Sequence, residues 1–212
     1  MSELKIDVIT VGMLEVNCLL IYDSEVGRGI IVDPGEEGDL IAAAVDDRKF
    51  VPECVVLTHG HGDHIAAVDD VRDRFGIPVA IGRDDAAMLE NASFNLSAGF
   101  GVPLEMRPAE RLLSEGDDIQ AGGHVLKVLD TPGHTRGSIT LSYPGHAAVG
   151  DLVFAGSVGR TDLSGGSFQT LLSSIQEKIL TMPDDTILYP GHGPVTTVGA
   201  ERRSNPFLTG VY

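Results

Sequence analysis

Apolar residues in this chain fall in short runs with two distinct periods. Near the start, LKIDVITV, NCLLIYD and GIIVD read as strands, and the turn-forming stretch DPGEEG follows them. The spacing predicts a helix over Asp39 to Asp47 and a buried strand over Cys54 to Leu57. Ile65, Val68, Val71 and Phe75 then recur at helical spacing, Gly76 closes that helix, and Ile77 to Ile81 returns to strand. The stretch from Asp84 to Phe100 reads as helical, with weak patterning.

The second half repeats this style. HVLKVLD, SITLSY and HAAVGD read as strands joined by GG and PG turns. Phe168, Leu171, Leu172, Ile175 and Ile179 mark a helix of several turns, Thr186 to Tyr189 a last short strand, and Thr196 to Arg203 a closing helix. Strands in both halves, each followed by helices, imply an α/β fold of two sheets packed face to face with helices outside. The expected organisation is a single domain over residues 1–212, without linker or charge block.

Composition narrows the function classes. At 42% hydrophobic the chain can bury a substantial core, yet no apolar run reaches the roughly 18 residues of a membrane span. MSELKIDVIT lacks the basic-then-apolar order of a secretory signal. A formal net charge of -16 opposes nucleic acid and anionic membranes as partners. Cys18 and Cys54 lie in apolar runs without knuckle or redox spacing and read as reduced core residues of a cytoplasmic protein.

The chemistry concentrates in Thr58-His59-Gly60-His61-Gly62-Asp63-His64. Imidazoles and a carboxylate packed this densely are costly to bury unless they bind something, and both are suitable ligands for zinc or iron. Chance would supply such a string in on the order of one chain per thousand. The alternative is a surface loop that happens to be His-rich. Three more strand ends deliver ligand-type residues: His134 in LDTPGH, Asp151 after AAVG, and His192 in YPGHG. Singly each is a weak candidate, since a lone His after PG is more often a turn residue; beside the first string they read as one cluster. His124 and His146 precede strands in hairpin turns and read as exposed and uninvolved. Asp33 reads as a turn residue, with a supporting role behind a ligand histidine as the alternative.

The order His-x-His-x-Asp-His, then His, Asp and His, resembles the metallo-β-lactamase superfamily. The strings THGHGDH, TPGHTRGS, GDLVFAGSVGRTDL, YPGHGP and NPFL resemble its glyoxalase II-like branch, the hydroxyacylglutathione hydrolases. The resemblance runs from the VDPG string to Asn205-Pro206-Phe207-Leu208, and implies an αββα sandwich of two mixed sheets. It implies two divalent cations, zinc foremost, with iron or manganese also accepted. His59, His61 and His134 would hold one, Asp63, His64 and His192 the other, and Asp151 would bridge them. A hydroxide shared by the cations would attack the thioester of an acyl-thiol such as S-lactoylglutathione, with Asp63 the one carboxylate placed to move a proton. Arg160 falls where that branch has a cationic substrate contact, and Asp162 where it has an aromatic one. The given sequence ends at Tyr212 without the branch's C-terminal helical extension, which supplies glutathione contacts.

Two other activities fit the same resemblance. A persulfide dioxygenase would use a single iron on His59, His134 and Asp151. A lactonase or β-lactamase would need a pocket for a cyclic substrate, and Asp151 stands where β-lactam enzymes usually place Cys. A purely structural zinc site uses four ligands, fewer than are offered here. Oligomeric state is not legible.

Overall fold

The structure, a computed structural model, describes residues 3–210. Its first sheet takes six strands in spatial order: β1 (Leu4–Val11), β2 (Val16–Asp23), β3 (Arg28–Val32), β4 (Val51–Leu57), β5 (Val79–Gly82) and β6 (Arg111–Leu113). The first pairs are antiparallel and the last three parallel, so the sheet is mixed. The second sheet contains β7 (Asp118–Ala121), β8 (His124–Asp130), β9 (Ile139–Tyr143) and β10 (His146–Gly150). A small hairpin, β11 (Val153–Phe154) and β12 (Ser157–Val158), stands apart, and β13 (Ile187–Pro190) and β14 (Thr196–Thr197) complete the second sheet. Its order is β14-β13-β10-β9-β8-β7, with β10 and β13 its parallel pair.

Helices cover the outer faces. α1 (Gly38–Arg48), α2 (Gly62–Ile65), α3 (Val68–Phe75) and the short α4 (Ala86–Leu89) accompany the first sheet; α5 (Phe168–Ser174), α6 (Val198–Ser204) and α7 (Pro206–Thr209) accompany the second. Three apolar layers result. Ile41, Val45, Val68 and Val71 pack with Leu20, Ile31 and Leu57 on one outer face. Leu19, Ile21, Ile30 and Val56 meet Leu126, Val128, Ile139 and Leu141 between the sheets. Leu171, Ile175, Ile179 and Val198 pack against Ala147, Val149 and Leu188 on the other outer face. β2 and β3 are apolar on both faces because both faces are covered, as expected where helices flank a sheet. The αββα sandwich expected from the sequence is the architecture found.

Local departures have local causes. The helix expected through Ile65 and Phe75 is broken at Ala66 and Ala67, because the Ala67 amide donates to the carbonyls of Pro34 and Gly35 (3.0 Å each). Gly76 closes α3 in the left-handed conformation as expected. Between Asp84 and Phe100 the short α4 and isolated turns form in place of one helix: the Asn91 carboxamide accepts the amides of Ser93 and Phe94, and Leu96 takes a positive φ of 69°. The helix from Phe168 widens into a π-turn over Ile175–Ile179. Both cysteines are free; Cys18 is buried and Cys54 half-buried, and burial pushes the Cys54 thiol up to about 12. No helix among the described residues is long and apolar enough to cross a membrane.

Candidate metal centre

Every ligand-type residue singled out in the sequence lies just beyond the C-terminal end of a strand, at one edge of the sandwich. β4 leads into His59, His61, Asp63 and His64; β8 into His134; β10 into Asp151; β13 into His192. The two sheets are joined at this edge, where the Ile139 amide donates to the Thr58 carbonyl at 2.8 Å. Among the described residues three groups of side chains have ligand atoms within 4.8 Å of one another: one is Asp33, His59 and His64, and the other two are His59, His61 and His134, and Asp63, His64 and His192. Asp151 lies between the latter two. Its Oδ2 is 3.6 Å from His134 Nε2 and 3.7 Å from His192 Nε2, and its Oδ1 is 3.4 Å from His64 Nε2.

The imidazoles are oriented from behind. His64 Nδ1 donates to Asp33 Oδ2 at 2.9 Å, His134 Nδ1 to the Arg160 carbonyl at 2.8 Å, and His192 Nδ1 to the Leu14 carbonyl at 2.9 Å. His59 Nδ1 meets the Thr58 hydroxyl, itself committed as a donor to Asp33. Because these partners accept at Nδ1, each ring presents Nε2 to the cluster. His61 is turned the other way, with Nδ1 2.9 Å from His134 Nε2. Buried atoms His59 Nε2, His61 Nε2 and Asp151 Oδ1 have no hydrogen-bond partner. Buried polar groups are normally satisfied, and the unpartnered His59 Nε2 and Asp151 Oδ1 beside these imidazoles fit a cation.

The electrostatics agree. Burial, then the neighbouring imidazoles, hold His59 well below the usual histidine range, and burial and His134 bring His61 down to about 4. Both are therefore neutral and free to ligate. Burial works against charge on His64 too, but the Asp151 and Asp33 carboxylates outweigh it and raise this ring well above its ordinary value. A proton and a cation compete for the same Nε2. Burial would raise Asp63 and Asp151, but the hydrogen bond and charge of His192 on Asp63, and the charge of His64 on Asp151, hold both carboxyls below their usual range. Asp63 is thus ionised, which suits a ligand better than a proton donor.

Three supporting residues were absent or underrated in the sequence reading. Asp33 is buried, with a φ of 49°, and accepts from Thr58 and His64 instead of merely turning the chain. Asp85, also buried, accepts from the Gly60 and Gly137 amides and the Thr135 hydroxyl, so it ties the His59–His61 loop to the His134 loop. Asn17 donates to the carbonyls of Pro190 and Gly193, on either side of His192. A polar residue inside the apolar run VNCLLI was a signal for Asn17; Asp85 had none. Gly191 passes so close that a Cβ there would lie 2.2 Å from Asp151 Oδ1 and 2.7 Å from His64 Cε1.

The remaining candidates fall elsewhere. Arg160 supports His134 through its backbone, while its exposed guanidinium forms a two-point pair with Asp162 (2.9 and 2.8 Å). His124 and His146 take no part in any of these groups, but neither is exposed as expected. His124 contacts the Tyr143 hydroxyl at 2.8 Å, and His146 the Tyr189 hydroxyl at 3.1 Å.

The family model of the metallo-beta-lactamase superfamily matches residues 11–192, spanning the whole ligand set. The chain belongs to the metallo-β-lactamase superfamily. It is 40% identical over 203 residues to a probable metallo-hydrolase, YqgX, of Bacillus subtilis (94% of this chain, 95% of that one). It is 35% identical to the hydroxyacylglutathione hydrolase GloC of Haemophilus influenzae (97% and 98%). Among solved structures, the BLEG-1 B3 metallo-beta-lactamase superposes with a TM-score of 0.93 at 38% identity, covering 97% of this chain and 100% of that one. TTHA1623, solved in a di-iron-bound form, gives 0.83 at 34% identity, covering 95% and 100%. The chain is accordingly a metal-dependent hydrolase of this superfamily, with His and Asp groups suited to divalent cations and a small-molecule substrate.

Proposed function

We propose that the protein is a dinuclear thioester hydrolase of the glyoxalase II-like kind, acting on an acyl-thiol such as S-lactoylglutathione. The observation that carries this reading is the place of Asp151, within 3.7 Å of ring nitrogens from both the His134 group and the His192 group. A carboxylate there serves two cations at once, whereas a single-metal centre leaves Asp63, His64 and His192 without a task. The likeness to GloC supports the thioester, and the di-iron form of TTHA1623 supports double occupancy.

In this reading His59, His61 and His134 would hold one cation and Asp63, His64 and His192 the other, with Asp151 placed to serve both. When bound, such cations would supply Lewis acidity that activates water and polarises the substrate carbonyl. Asp33, Thr58, the Arg160 carbonyl and the Leu14 carbonyl keep the rings aimed, so little reorganisation is needed at the moment of reaction. Water adds to the acyl carbon, the C–S bond breaks, and a carboxylate, a thiol and, at neutral pH, one released proton result. A thiolate leaves readily, so no strong acid is needed, in keeping with an ionised Asp63. Arg160 can meet an anionic substrate only by giving up Asp162.

Metal analysis of protein purified without added metal, beside an S-lactoylglutathione assay, tests the proposal. About two metals per chain and rapid cleavage, lost in Asp151→Ala, support it. One iron per chain, no cleavage, and oxygen uptake with glutathione persulfide would replace it with the dioxygenase built on His59, His134 and Asp151. BLEG-1's similarity puts a β-lactam, with a lactone, in the same assay set.

A further inference from the structure

A cavity of about 510 Å³ opens beside the metal centre, with Asp63 in its wall. Met13 and Leu14, from the loop between β1 and β2, form one side, and Val102 and Leu104 form the other. Met13 is 91% exposed and Val102 65%, so neither contributes to the core. Apart from Asp63, the charge in the lining is Glu36, and no cation lines it. Large side chains this exposed and clustered around one concavity mark a binding surface.

Both walls are fixed to the ligand loops. Leu14 accepts from His192 Nδ1, and Val16 bridges to His192. On the other side the Gly62 amide donates to Asn95, whose side chain donates to the Leu104 carbonyl, and the Leu104 amide donates to Ser97 Oγ. The cavity is therefore held in register with Asp63 and His192 before anything binds. Its chemistry rejects one end of a glutathione thioester: a peptide with two carboxylates finds two acids and no cation. It accepts the other end, provided the acyl group is apolar.

We propose that this cavity is the acyl-binding subsite, and that it selects thioesters of medium-length apolar acyl chains over the lactoyl group. The assignment rests on thioester hydrolysis as the activity of the neighbouring centre. It places the thiol portion on the open side, away from Met13 and Val102. Water still adds to the carbonyl carbon and the C–S bond still breaks; only the acyl group is specified.

The test uses metal-loaded protein and S-acyl-N-acetylcysteamines from butyryl to octanoyl, with S-lactoylglutathione alongside. Each methylene is expected to raise kcat/KM twofold or more, below the roughly fourfold of complete burial because the cavity is open. Met13→Asp and Val102→Asp should flatten that rise. Titration with the uncleavable thioether S-octyl-N-acetylcysteamine gives a second readout, with binding at least tenfold weaker in either variant. Chain-length independence, equal thioether binding in the variants, or a lactoyl substrate that outperforms octanoyl would overturn the subsite while leaving thioester hydrolysis standing. Cleavage of none of the thioesters by protein holding two metals would remove both readings together.

Discussion

Asp33 Oδ2 accepts from His64 Nδ1 at 2.9 Å, and both side chains are buried. The same carboxylate accepts the Thr58 amide at 2.7 Å and the Thr58 hydroxyl, so one turn residue orients both the start of the ligand loop and its last histidine. Asp33→Asn would put a donor or a weaker acceptor opposite Nδ1. On the proposed ligand assignment, chelator competition should show one metal bound 10- to 100-fold more weakly, roughly the range for such supporting contacts. Unchanged affinity would mean that Asp33 only shapes the loop.

Gly191→Ala tests the space around Asp151. The added methyl falls on Asp151 Oδ1 and the His64 ring, so one of them must move. Metal content should fall below two per chain and hydrolysis should drop by about a hundredfold, a scale expected from displaced catalytic groups. Full metal content with normal turnover would show that the Asp151 carboxylate is free to relocate.

Asp85→Ala removes one acceptor from three donors, the Gly60 and Gly137 amides and the Thr135 hydroxyl. Leaving these unsatisfied should destabilise the chelated protein by about 3 kcal/mol in urea unfolding. A loss under about 0.5 kcal/mol, the size of an ordinary surface change, would argue that water replaces the carboxylate without penalty.

Glu110 predicts an acid dependence. Burial would raise its carboxyl, but the Val79 amide and Arg72 outweigh that and hold it below 4.5. A depressed carboxylate adds stability above its unfolded value and loses it as pH falls through the folded one. The urea midpoint of Glu110→Gln should therefore lie below that of the wild type at pH 7. The gap should close on acidification below 4.5, and a gap independent of pH would assign the effect to packing.

The candidate ligands stood out in the sequence because their cost is local: imidazoles and carboxylates crowded beside glycines at strand ends are expensive to bury unless they bind something. Long elements such as β2, α1 and β8 were legible from their own periodicity. The short pieces were not. β6, β11, β12 and β14 contain two or three residues each, too few for a period, and exist because a neighbouring strand accepts them. Asp85 was invisible for the same reason, since its partners lie 25 to 52 positions away. His124 and His146 were misjudged as exposed because tyrosine hydroxyls from other strands reach them.

The first ligand loop follows a strand of one sheet, whereas His134, Asp151 and His192 follow strands of the other. Each proposed ligand group therefore draws side chains from both sheets, and the distance between its members is gauged by how the two sheets lie on each other, through contacts such as Val56, Ile139 and Ala148. The apolar filling of the sandwich acts as a spacer for the reaction it never touches. Changing its thickness by a methyl group retunes the centre from a distance, as a shim resets the gap of a caliper.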